Sequence, residues 1–240
     1  MYAGGRKVEV WAKSLRLRAS YKKVEYAADT IILLRNTVLF SLPEINLKSR
    51  SKIMRVVVFF ILLLMGLPSY AKEIAGVMVN DTLQTTDGAT LQLNGAGIRK
   101  KLFMDIYIAQ LYMEKPTAAV SEVLADKGRK RIVMHFLYSE VSKDKLVEVW
   151  NDGFKDNNSA GDLAKLQERI NQFNGFFVDV KKNDVIVLDY NPATGTTVTI
   201  KGQEKGVIGG ADFNEALLKI WLGEKPADGD LKDKLLSYKK

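Results

Sequence analysis

The 240-residue chain is 47% apolar and 27% charged, the composition of an ordinary globular domain. It has no cysteine and one histidine, which excludes disulfides, thiol nucleophiles and Cys-ligated zinc or iron–sulfur sites and leaves little for an imidazole metal cluster. The formal charge of +8 points to nucleic acid only until it is located: residues 1–71 hold 12 Lys+Arg against 4 Asp+Glu, the remainder is balanced, and the nucleic-acid reading loses its support.

Residues 1–53 show no sustained helical or strand period. From Met54 to Ala71 the order is a basic start at Arg55, ten apolar residues from Val56 to Met65, the helix breakers Gly66 and Pro68, and small residues at Ser69 and Ala71. That is the three-part layout of a secretory signal peptide. The apolar run is about half the roughly 20 residues a membrane-spanning helix needs. We therefore expect Met54 to be the working start, residues 1–53 to be an upstream extension without a fold, and residues 72–240 to be one secreted or periplasmic bacterial domain. No stable membrane anchor is expected after cleavage.

Beyond Lys72 no repeat or Pro/Gly linker divides the chain. Thr90–Leu93 alternates, and Phe103–Met113 is a long aromatic and β-branched run, as in a largely buried strand. Thr117–Asp126 reads as a short helix and Arg131–Tyr138 as a strand. Ser142 is a natural N-cap for a helix to about Asn157, with Leu146, Val149, Trp150 and Phe154 on one face. A second helix from about Asp162 carries Leu163, Leu166, Ile170 and Phe173. Strands follow at Asp184–Tyr190 and Thr196–Ile200 around a turn at 191–195, then a short strand near 206–208. Helices Asp212–Leu222 and about Asp230–Leu236 close the chain. The order predicts an α+β fold with a mainly antiparallel sheet.

Phosphate-loop, dinucleotide and nucleophile-elbow motifs are missing. His135 lies in a strand beside Arg131 and Val133 and reads as a satisfied structural histidine; Lys127–Arg131 reads as a solvated basic loop. What remains is Gly95-Ala96-Gly97-Ile98-Arg99, which places a lone arginine just ahead of the strand carrying Tyr107. Strict alternation there puts Phe103, Asp105, Tyr107, Ala109 and Leu111 on one face and Met104, Ile106, Ile108, Gln110 and Tyr112 on the other. A guanidinium facing an apolar interior calls for an anion, whereas a surface arginine would pair with Asp105 or another acid. Spacing alone leaves both open.

The stretch GAGIRKKLFMDIYIAQLYMEKP resembles the signature of the chalcone isomerase-like superfamily. The resemblance continues through MHFLYSEVSKDKLVEVWNDGF, DVIVLDYNPATGTTVTIKG and GADFNEALLKIWLGEKP, covering Glu73–Leu236, and is nearest the secreted bacterial branch. It implies an open-faced β-sandwich, a large antiparallel sheet with helices over one side and a ligand cleft between. The family's catalytic arginine falls at Arg99 and is kept. Its strand threonine falls at Tyr107, its helix Tyr and Asn at Leu146 and Gly153, and its late Ser/Thr near Asn214. Leu and Gly donate no side-chain hydrogen bonds, which argues against the cyclisation chemistry. An arginine with a tyrosine is similar instead to the fatty-acid-binding members, where the two hold a carboxylate. The resemblance therefore implies a non-catalytic protein binding a lipophilic carboxylate at Arg99 and Tyr107, without cofactor or metal. The apolar residues of strands 103–113 and 131–138 and the helix near Phe213, Leu217 and Trp221 would sleeve the tail. The alternatives are a chalcone isomerase-type intramolecular lyase and an envelope adaptor with a vestigial cleft. Oligomeric state is not legible.

Overall fold

A computed structural model describes residues 72–238; the segments 1–53 and 54–71 read above lie outside the described residues. Strands β1 (Lys72–Ile74) and β2 (Val77–Val79) form a small hairpin. The main sheet contains β3 (Thr82–Gln84), β4 (Thr90–Lys101), β5 (Met104–Met113), β6 (Lys130–Phe136), β9 (Val185–Asn191), β10 (Gly195–Ile200) and β11 (Gln203–Ile208). Their order is β11-β10-β9-β6-β5-β4-β3, every pairing antiparallel. Helices α1 (Val120–Ala125), α2 (Lys143–Asn157), α3 (Ala160–Gly175), α4 (Ala211–Leu222) and α5 (Gly229–Leu235) contribute to the core with the sheet, and β7 (Glu140–Val141) pairs with β8 (Val180–Lys181) beside them. This is the expected α+β arrangement.

Period-two burial explains the strands. In β6, Lys130, Ile132, Met134 and Phe136 are buried while Arg131, Val133 and His135 are half-exposed, and β9 alternates likewise. Over that buried face lies an aromatic cluster in which Trp150 sits edge-on to Phe173 and Trp221, and Phe173 to Phe213. Ser142 caps α2 as expected, its Oγ accepting from the Lys145 N–H at 3.3 Å. Helix α3 starts at Ala160, slightly earlier than read, because Ser159 takes the cap and accepts from Asp162 N–H. Among the described residues no helix is long and apolar enough to cross a membrane.

Three sequence readings need correction. Arg99 does precede the strand that carries Tyr107, but it lies inside a strand itself, since the strand read at Thr90–Leu93 runs unbroken through the glycines to Lys101. Those glycines admit a helix: a Cβ on Gly95 would stand 2.1 Å from the Lys234 carbonyl oxygen, and one on Gly97 2.6 Å from Lys234 Cβ. Helix α5 therefore lies directly on β4. The basic run 127–131 is not a solvated loop, for Lys130 is buried and its Nζ donates to the Asp126 carbonyl, while Arg129 pairs with Asp87 and Arg131 with Asp189. His135 is not satisfied, because its buried Nε2 has no hydrogen-bond partner among the described residues.

Candidate functional site

The β4–β5 ladder carries one extra residue near each end. Leu93 pairs with Tyr112 and Gly95 with Leu111, so Asn94 is a bulge on β4; Arg99 pairs with Tyr107 and Lys100 with Asp105, so Ile106 is a bulge on β5. A bulge lets two successive residues face the same side and breaks strict alternation. Met104 and Ile106 consequently line the same cavity as Tyr107, while Phe103 and Asp105 are exposed. The face assignment made from alternation is reversed over these residues.

The cavity has a volume of about 590 Å³, within the usual roughly 300–1,000 Å³ of small-molecule sites. Its floor is Met104, Ile106, Tyr107, Met134 and Phe136, and α2 covers it with Leu146, Val149 and Trp150. Helix α4 does not line it: Phe213 and Leu217 are core residues, and Trp221 stands behind Tyr107. Arg99, Lys101, Glu140, Ser142 and Lys145 are the charged and hydroxyl groups of the lining besides Tyr107 and Tyr138. Ser142 is committed to its cap, Lys145 to Glu148 at 2.5 Å, and Glu140 faces Lys181 at 3.9 Å. Beyond Arg99 a second recess of about 240 Å³ opens, bounded also by Gly153 and Ile220. No group of His, Asp and Glu among the described residues could hold a metal ion.

Arg99 and Tyr107 are brought together by register. The guanidinium carbon lies 5.6 Å from the centre of the Tyr107 ring, a cation–π contact. Among the described residues Arg99 makes no salt bridge and its buried Nε no hydrogen bond. Neither candidate acid answers it. Asp105 approaches Lys100 at 3.7 Å, and both Asp228 oxygens are taken, one by Lys100 N–H at 2.8 Å and one by Leu231 N–H at 2.9 Å.

The buried Tyr107 hydroxyl accepts from Trp221 Nε1 at 2.9 Å, which leaves its own proton to donate. Burial pushes the phenol's pKa up, opposed by Arg99 and by the Trp221 hydrogen bond, so it stays neutral at physiological pH. Trp150, read from sequence only as helix core, lines the chamber, and its buried Nε1 has no hydrogen-bond partner among the described residues. No periodicity distinguishes such an indole from an ordinary core residue. A guanidinium without an acid partner among the described residues and a phenol with a proton left to donate make an electropositive locus along an apolar chamber.

The positions aligned with family catalytic residues separate in space. Leu146 lines the chamber; Gly153 packs α2 on α4, where an added Cβ would meet Ile220 at 2.8 Å. Asn214 is buried, donates to Thr196 Oγ1 at 3.4 Å and is absent from the lining.

A family model described as chalcone isomerase-like matches residues 71–237. Among solved structures, a fatty-acid binding protein of Arabidopsis thaliana aligns with a TM-score of 0.52 at 17% identity, covering 70% of this chain and 96% of that one. At that identity the likeness shows the fold. No curated protein matches.

Proposed function

This chain belongs to the chalcone isomerase-like family, and from that premise we propose that it binds a fatty acid or similar lipophilic carboxylate without catalysing its conversion. The observation that carries this reading is Arg99, a cation with no acid partner among the described residues, standing beside the Tyr107 hydroxyl at an apolar chamber. A half-buried guanidinium without a counter-ion has lost part of its hydration, and a carboxylate supplies both charge and acceptors. Met104, Ile106, Met134, Phe136 and Leu146 then enclose the hydrocarbon tail. Leucine at position 146 supports binding over isomerisation, because it offers no hydrogen bond to a reacting carbonyl or phenolate. The pattern at 54–71 supports a secreted or periplasmic location.

Native mass spectrometry of protein purified without detergent tests the reading. Co-purified fatty acid that is lost in Arg99→Ala supports it; unchanged ligand content in that variant would overturn the assigned head-group site. Chalcone turnover above the spontaneous rate and dependent on Arg99 would replace binding with catalysis. N-terminal sequencing of the periplasmic fraction should begin at Lys72, and an intact Met1 there would refute the proposed processing.

A further inference from the structure

The β4–β5 turn consists of Leu102 and Phe103, between the paired Lys101 and Met104. These are the most exposed large apolar side chains described, at 81% and 91%. Leu102 also has φ +58°, a left-handed conformation in which Gly, Asn or Asp is the ordinary occupant of a tight turn. A branched apolar residue there gains no packing and bears backbone strain. The fold itself gives no reason for either side chain.

The surroundings supply one. Arg99, Lys100 and Lys101 lead directly into the turn, and Lys101 makes no salt bridge among the described residues. The acids nearby are engaged: Asp105 faces Lys100, Glu148 holds Lys145, and Glu140 faces Lys181. Tyr138, 37% exposed, joins the same end of the sheet, its N–H bonded to the Ile106 carbonyl. An apolar tip, an aromatic amphiphile and a cationic collar match the depth profile of a bilayer interface, with acyl chains below and anionic head groups above. We propose that this hairpin docks the protein on the surface of an anionic phospholipid bilayer, Leu102 and Phe103 entering the acyl boundary. Lys101 and Met104 also line the chamber, so its mouth meets the membrane in this pose. Docking does not require the carboxylate reading, since it is measured with phospholipid alone.

The test uses vesicles of phosphatidylcholine containing one quarter phosphatidylglycerol, with pure phosphatidylcholine for comparison. Co-sedimentation of the wild-type chain should exceed that of L102N/F103G by at least roughly tenfold in partition coefficient, from the apolar area lost, and should be weaker on pure phosphatidylcholine. Asn and Gly suit the turn, so the variant folds, and circular dichroism checks this. Because other parts of the chain could bind vesicles, Phe103→Trp reads the tip directly: brominated acyl chains should quench its fluorescence beyond the wild-type background. Equal partitioning of wild type and variant, or no added quenching, would overturn the proposal. Concentration-dependent self-association abolished by L102N/F103G, without vesicle binding, would also overturn it and assign the tip to a contact between copies.

Discussion

The two ends of the β4–β5 ladder start from the same device and finish differently. At one end the Asn94 bulge turns an amide toward α5, where Nδ2 donates to the Leu235 carbonyl at 2.8 Å and Oδ1 accepts from Thr117 N–H at 2.7 Å. Gly95 and Gly97 clear that face, and Leu231 and Leu235 bury themselves against the core. At the other end the Ile106 bulge turns an apolar side chain into a chamber, and Arg99 occupies the row that the glycines left bare. One bulge makes a packing contact with its polar groups satisfied, beside a recess of about 340 Å³ that reaches Ser237 and Tyr238. The other opens a space with donors unsatisfied. Satisfied burial stabilises a fold; unsatisfied burial is retained where something else supplies the partner.

The contrast can be broken at either end. Arg99→Met should separate binding from folding, with carboxylate affinity falling roughly 100-fold or more if two charge-assisted bonds of about 1.5–3 kcal/mol each are lost. Thermal stability of the ligand-free protein should hold or rise, as a half-buried cation without an acid partner is removed. Calorimetry with a fatty acid and a melting curve decide this, and a stability loss with intact binding would reverse the assignment of the two ends. Gly95→Ala should do the opposite. Its Cβ would meet backbone carbonyls of α5, so a loss of about 3 kcal/mol is expected in a denaturant titration.

The two tyrosines sharpen the comparison through pH. Tyr112, at the closed end, has its hydroxyl 2.9 Å from the Asn80 carbonyl and 2.8 Å from Gln110 Oε1, and burial pushes its pKa up to about 12. A phenol whose folded pKa exceeds its unfolded value of 10 loses its proton first in the unfolded chain. Stability is thus unaffected below pH 10 and falls by about 2–3 kcal/mol as pH rises through 12. Tyr107 shifts in the same direction. Tyr112→Phe should flatten much of that decline in unfolding curves between pH 9 and pH 12, leaving ligand affinity unchanged. The smallest effect belongs to Trp150→Phe, which keeps a ring against Phe173 and Trp221 and removes a buried N–H unpartnered among the described residues; apo stability in a melting curve should fall by only about 1 kcal/mol, as the void left is partly offset by loss of the unsatisfied donor.

Short-range patterns were sufficient for much of this chain. Alternation in β6, β9 and β10, the Ser142 cap, the apolar stripes of α2 and α3 and the antiparallel order could all be read from neighbours along the sequence. Arg99 stood out because a cation between glycines and an apolar run requires an explanation. The segments β1 to β3, β7 and β8 escaped notice because two or three residues carry no measurable period.

Other features depended on contacts far apart in the chain. Strict alternation failed at Ile106 because a bulge is set by the partner strand's register, and one inserted residue moved Met104 and Ile106 to Tyr107's side. Gly95 and Gly97 permit close backbone approach, but that the approaching element is α5, some 140 positions on, is visible only in the structure. The roof of the chamber came from α2 instead of α4, which brought Trp150 from helix core into the lining. Periodicity states which side of an element avoids water. It does not state what covers that side or leaves it open, and for this protein the difference between a closed contact and a binding chamber rests on that second fact.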